Sequence, residues 1–187
     1  LLALNKTTGK VVWRMNGMKE SWNTPILVPV PGGKTELVVA IMGKVLGVDP
    51  DNGEQLWSCA TDIGWYMVPS IVNHKDVVFS IGGRGTGGSL AVRAGGRGDV
   101  TATHRLWKSN KGSNVPSPIV HEGHVYWIHE TKGAVSCVKA ETGEVVYEEP
   151  VAANNQFYAS PVLADGKIYF VSRRGETYVT AAKPRYE

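Results

Sequence analysis

The sequence predicts an all-β protein, a β-propeller of four-stranded antiparallel blades, and three observations carry that expectation. A short phrase recurs as Thr8-Gly9-Lys10-Val11-Val12-Trp13, Asn52-Gly53-Glu54-Gln55-Leu56-Trp57 and Thr142-Gly143-Glu144-Val145-Val146-Tyr147. The aromatic anchors Trp13, Trp57, Trp107 and Tyr147 advance by 44, 50 and 40 residues, a spacing in the range of repeat architectures. A second anchor keeps time with the first: Thr24-Pro25, Pro69-Ser70, Ser117-Pro118 and Ser160-Pro161 each open an apolar run.

Each period resolves into short β-branched or alternating runs separated by Gly, Asn and Asp turns, with no helical periodicity of useful length. The unit from Ser117 shows the order best. "SPIVHEG" is a strand and turn, "HVYWIHETKG" a second, "AVSCVKAETG" a third, and "EVVYEEP" the fourth strand. A lone meander of this kind exposes two faces and two edges, so copies must stack, and radial stacking is the propeller solution. The expected division is the end of a blade at 1–17, full blades at 24–61, 69–110 and 117–150, and a partial blade at 160–182, about 17 strands in all. The third unit has an insertion after its third strand, which a loop between strands three and four would absorb.

The Gly of the recurring phrase sits between strands three and four, where a positive φ lets the chain reverse without steric cost. Gly9, Gly53 and Gly143 hold this position, and the aromatic four residues on falls on the outermost strand. Such a ring can fold over a flat Gly backbone and wedge against the neighbouring sheet, so Gly9, Trp13, Gly53, Trp57, Trp107, Gly143 and Tyr147 are the expected docking residues. Truncating one fully buried ring to Ala costs on the order of 3 to 5 kcal/mol.

Ala3-x-Asn5-x-x-Thr8-Gly9-x-x-x-Trp13, Gly47-x-Asp49-x-x-Asn52-Gly53-x-x-x-Trp57 and Cys137-x-Lys139-x-x-Thr142-Gly143-x-x-x-Tyr147 resemble the tryptophan-docking motif of the PQQ-like (pyrrolo-quinoline quinone) β-propeller repeat family. That family includes quinoprotein alcohol dehydrogenases and the outer-membrane assembly lipoprotein BamB. The resemblance implies about four blades of a seven- or eight-bladed ring, here an open arc, and a periplasmic or cell-surface location. Asn5 and Lys139 depart from the motif Asp, Tyr147 from its Trp, and the third unit has lost its Thr-Gly, which makes its joint the least regular.

Composition excludes several classes. With 42% hydrophobic and 20% charged residues the chain can bury a core, and a net charge of +3 without like-charge blocks gives no footprint for nucleic acid or an anionic membrane. No apolar run approaches the roughly 18 to 20 residues of a membrane helix. The chain opens Leu1-Leu2-Ala3, without Met and as if mid-strand, so a piece of a longer protein is expected. Cys59 and Cys137 stand far apart in no metal-binding spacing and read as buried fillers, with a disulfide between them as the lesser alternative.

Meander topology places the inter-blade links and the turns after second strands at one end, the top. The links "ESWNTP", "DIGWYMVPS", "KGSNVPSP" and "NNQFYASP" then set Trp22, Asn23, Trp65, Tyr66, Asn114, Phe157 and Tyr158 around an inner rim. The other top turns contribute Lys44, Arg84, His129, Glu130, Arg173 and Arg174. Aromatic faces, amides and guanidinium groups together suit a flat, polar or anionic ligand, through stacking and bidentate hydrogen bonds. The same residues also fit a plugged channel with solvated arginines.

No motif marks an active site. The segment from Gly82 to Trp107 is neither a P-loop nor a GxGxxG opening a helix, Arg97-Gly98-Asp99 is a tripeptide that recurs by chance, and His121 and His124 flank a turn without a third ligand nearby. The resemblance implies a vicinal disulfide and a Ca2+ site in the quinoprotein enzymes, and neither maps onto residues here. The leading expectation is a non-enzymatic platform that binds a protein or small molecule at its top face, with no cofactor and no metal. The alternative is a PQQ- and Ca2+-dependent dehydrogenase whose catalytic part lies elsewhere, and a third possibility is a carbohydrate binder using the aromatic rim.

Overall fold

The computed structural model describes residues 1–84, 87–151 and 153–187, so Gly85 and Thr86 of the Gly-rich segment lie outside the described residues. The described residues form 18 strands and no helix. The first sheet pairs β1 (Leu2–Leu4) with β2 (Val11–Arg14). The second is built from β3 (Ile26–Val30), β4 (Lys34–Ile41), β5 (Lys44–Val48) and β6 (Gln55–Ala60). The third holds β7 (Val72–His74), β8 (Val77–Gly82), β9 (Gly88–Arg93) and, across the insertion containing β10 (Gly98–Asp99), β11 (Arg105–Ser109). The fourth comprises β12 (Ile119–His121), β13 (His124–Ile128), β14 (Ala134–Lys139) and β15 (Val145–Pro150). β16 (Val162–Ala164), β17 (Lys167–Val171) and β18 (Thr177–Ala181) form the last.

Within each sheet consecutive strands are antiparallel neighbours, as in a propeller blade, and the five sheets make a partial propeller. The departure is β10. The insertion does not remain a loop of its own blade; its two residues pair in parallel with Trp57 and Ser58 of β6, adding a fifth strand to the blade before. This raises the strand total from the expected 17 to 18. An outer strand offers unpaired N–H and C=O groups, and the insertion covers that edge.

Strand alternation explains why the sheets stack. Successive residues of β4 point to opposite faces, and both faces are buried: Val38 and Ala40 enter the core shared with the third sheet, whereas Val39 and Ile41 pack with Trp13 of the first. β8 repeats this, with Val78 on one side and Phe79 and Ile81 on the other. So does β13, where Val125 and Trp127 face back and Tyr126 and Ile128 face forward. Strands buried on both faces read as continuous apolar runs, which is the pattern of "ELVVAI", "VVFSI" and "VYWI". Cys59 and Cys137 are free thiols in two different cores, and burial pushes Cys137 up to about 11.

The Ser-Pro anchors have a geometric role. Thr24 N–H donates to Ser70 Oγ at 3.2 Å, Ser70 N–H to Ser117 Oγ at 3.0 Å, and Ser117 N–H to Ser160 Oγ at 3.1 Å. Each blade is thus tied, just before its first strand, to the hydroxyl of the next. Pro on either side of these residues presets an extended backbone and removes a competing donor.

Candidate functional site: the blade joints and the mouth of the propeller

The outer joints use the repeated phrase across blades. Trp13 leaves β2, lies against Gly53 in the next blade's turn, and donates its indole N–H to Pro50 O at 2.8 Å. Trp107 does the same one joint further on, against Gly143 with its N–H on Ala140 O at 2.8 Å. In both cases the carbonyl stands three residues before the Gly. Gly53 and Gly143 have φ of 79° and 71°, and a Cβ there would lie 2.5 Å from the Trp13 ring or 2.6 Å from the Trp107 ring. Gly9 has a similar φ of 69°, with nothing within 4 Å of where its Cβ would be. Tyr147 packs edge-on to Tyr186, with ring centroids 5.7 Å apart.

Trp57 faces the blade whose Thr-Gly is missing, and its environment is different. Its fully buried indole turns back over Gly47, the Cα partner in its own blade, where any side chain would overlap the ring. The indole N–H donates to Glu36 Oε2 at 2.7 Å. That buried carboxylate also accepts from Gly95 N–H and Arg97 Nη1, each at 3.0 Å. Gly95 and Arg97 come from the insertion, so a carboxylate stands where the other joints use a backbone carbonyl. Arg97 of the Arg-Gly-Asp tripeptide is engaged in this ion pair, and Gly98-Asp99 is β10 itself. Glu36 escaped the sequence reading; the signal was a carboxylate immediately before the apolar run of β4.

At the top, the links hold one another by backbone hydrogen bonds: Trp22 N–H to Met67 O and Met67 N–H to Glu20 O, both 2.9 Å. Asn23 is consumed in this scaffold, its amide donating to Ala40 O at 2.6 Å while its Oδ1 accepts from Ala40 N–H at 3.3 Å. Trp22, Tyr66, Arg84, Asn114 and Tyr158 converge around one cavity of about 340 Å³. Trp65 stands beside it, stacked on Tyr66 at 4.9 Å, and Tyr66 in turn meets Trp22 at 4.5 Å. Arg173 covers the Tyr158 ring at 4.7 Å and donates to Gln156 Oε1 at 2.9 Å. Arg174 is exposed beyond the cavity, and Phe157 is fully buried in the core behind it. Gln156 and Thr131 also line the cavity, and both escaped the sequence reading because polar residues beside an aromatic link carry no distinguishing spacing.

His129 points the chemistry elsewhere. It lines a separate cavity of about 310 Å³ with Lys111, Trp127 and Lys132, and burial holds its imidazole below the ordinary value while Glu130 pulls the other way.

The floor of the mouth is rich in acceptors. Glu130 is only 7% exposed, and its Oε2 accepts from Ser113 Oγ and Asn114 N–H, both at 3.0 Å. Asn114, also 7% exposed, has a side-chain carbonyl with no hydrogen-bond partner. An unpaired buried acceptor costs free energy, and this one is closed off from solvent.

These residues do not fit PQQ with Ca2+. The described residues contain no group of three His, Cys, Asp or Glu placed to hold a metal, and the two thiols lie in separate cores.

Comparison with known proteins agrees with the architecture. PedH, a quinoprotein alcohol dehydrogenase of Pseudomonas putida, is 32% identical over 116 residues, covering 58% of this chain and 17% of PedH. BamB of Moraxella catarrhalis superimposes with a TM-score of 0.69 at 14% identity, covering 95% of this chain and 55% of that one. A europium-containing methanol dehydrogenase superimposes at 0.65 with 12% identity, covering 96% and 47%. The chain therefore spans about half the length of these solved structures and less of PedH. No helix among the described residues is long and apolar enough to cross a membrane. The model of the family described as outer membrane protein assembly factor BamB matches residues 1–184, and the chain belongs to this family of PQQ-like β-propellers.

Proposed function

We propose that this propeller acts as a non-enzymatic binding platform whose ligand or partner docks at the top mouth. One observation carries the reading: three inter-blade links deliver Trp22, Tyr66 and Tyr158 to a single cavity beside the buried carboxylate of Glu130. Exposed aromatic rings are costly to leave in water and are favoured anchors of recognition sites. Trp22 is 65% exposed and Tyr158 49% exposed, so both are available to a ligand without repacking the core. The family description, an outer membrane assembly factor, supports a platform role and a periplasmic or cell-surface location.

The test is a ligand-observed NMR screen of peptides, glycans and planar acids against the protein and its Trp22→Ala and Tyr158→Ala variants. Hits lost in both variants support the mouth as the site. Hits retained unchanged in both would remove it.

A second reading, a PQQ-dependent dehydrogenase, is favoured by the identity to PedH. Titration of the protein with PQQ and Ca2+, followed by quinone absorbance and dye-linked alcohol oxidation, separates the two. The platform reading expects no saturable response, and a stoichiometric one would establish the enzyme.

A further inference from the structure

The mouth selects its ligand by what its walls lack. The polar group at its floor is the Glu130 carboxylate: Oε2 accepts from Ser113 and Asn114, and Oε1 has no hydrogen-bond partner among the described residues. An anion brought against that carboxylate meets like charge, which a low-dielectric site penalises. The charges around the rim oppose the other sign. Arg84 lines the cavity and Arg173 sits over Tyr158, so a cation meets two guanidinium groups before it reaches Glu130. A ligand that satisfies both conditions is neutral and brings several donors of its own. The aromatic lining adds a third requirement, a flat apolar face that can lie on a ring. Trp22 and Tyr66 are tilted by 42° at 4.5 Å, forming a bent shelf, and Tyr158 stands on the same cavity. Gln156, with Oε1 taken by Arg173, keeps its amide N–H groups to donate to a ring or ether oxygen.

We infer that the top mouth is a carbohydrate subsite, taking a neutral sugar ring stacked on the Trp22–Tyr66 shelf with a hydroxyl donating to Glu130 Oε1. This inference rests on the platform reading above and narrows it to a ligand class. A cavity of about 340 Å³ accommodates one or two sugar units, in the lower part of the usual range for small-ligand sites.

The experiment is a glycan array with the protein, followed by titration with the best neutral oligosaccharide monitored by tryptophan fluorescence. Uronate-containing glycans and a quaternary ammonium ligand serve as charged probes. The expected result is binding of a neutral glycan that is insensitive to salt and weakened at least about tenfold, some 1.4 kcal/mol, by Trp22→Ala and by Glu130→Gln. Trp22 is mostly exposed, so its variant tests the site even if Glu130→Gln disturbs folding. Preferential, salt-sensitive binding of a charged probe that Trp22→Ala abolishes would overturn the carbohydrate inference and leave the platform reading standing. Glycan binding undiminished by Trp22→Ala would overturn both.

Discussion

The joint between Trp13 and Gly53 can be tested by adding a single methyl group. In Gly53→Ala the new Cβ would lie 2.5 Å from Trp13 Cε3, about an ångström inside van der Waals contact, on a backbone with φ of 79°. The left-handed conformation costs an L-residue about 1 to 2 kcal/mol. The ring must also move, which weakens the indole hydrogen bond to Pro50 O, worth about 1 kcal/mol, and part of a contact whose complete loss costs about 3 to 5. A total of about 3 to 4 kcal/mol follows. Gly9→Ala is the control, since its φ is 69° and nothing surrounds it, so only the conformational cost of about 1 to 2 kcal/mol applies. Urea unfolding followed by far-UV dichroism measures both variants. In a chain of this size each kcal/mol moves the thermal midpoint by about 2 to 4 °C, so the two should differ by roughly 5 °C. With Trp13→Ala already in place, Gly53→Ala should cost no more than Gly9→Ala. Equal destabilisation by Gly53→Ala and Gly9→Ala in the parent protein would refute docking of the ring on that turn.

Three further outcomes are expected. Glu36→Ala strands the Trp57 indole N–H and Gly95 N–H in a buried site and should cost about 3 kcal/mol or more, whereas Arg97→Ala, its side chain 58% exposed, should cost under about 1; denaturant midpoints compare them. Ser117→Ala removes the acceptor of Ser70 N–H, so hydrogen exchange at the Ser70 amide should accelerate while the Thr24 amide, bonded to Ser70 Oγ, stays protected; unchanged exchange at Ser70 would remove the hydroxyl chain as a blade tie. His129 is held below its unfolded value of about 6.5 by burial, so the folded state binds fewer protons than the unfolded one between those two values. Stability from this residue is therefore complete above about pH 6.5 and falls as pH drops below it, and His129→Gln should flatten the pH dependence of the thermal midpoint in that window.

The local sequence was enough for the architecture because turn chemistry and strand alternation are short-range. Gly53 and Gly143 adopt positive φ in tight turns, and apolar residues at successive positions of "ELVVAI" require a strand covered on both faces; both facts follow from a few neighbouring residues. The repeat then supplied what one strand cannot, namely that the partner of each face is another copy of the same module.

Long-range geometry decided the rest. The motif showed that rings and glycines recur, but which ring meets which Gly depends on how neighbouring blades stack, and the pairs Trp13–Gly53 and Trp107–Gly143 cross from one blade to the next. The irregular joint could not be read at all, because Glu36 and Gly95 are 59 residues apart and meet only after the insertion pairs with β6. The rim divided for the same reason. Asn23, Asn114 and His129 look alike as polar residues in top segments, yet one is spent on the backbone of β4, one lines the mouth with its carbonyl closed off from solvent, and one faces another cavity. Periodicity in a sequence determines modules and their turns, whereas the hydrogen-bond partner and the electrostatic surroundings of a side chain are settled by the tertiary neighbours that remove it from water.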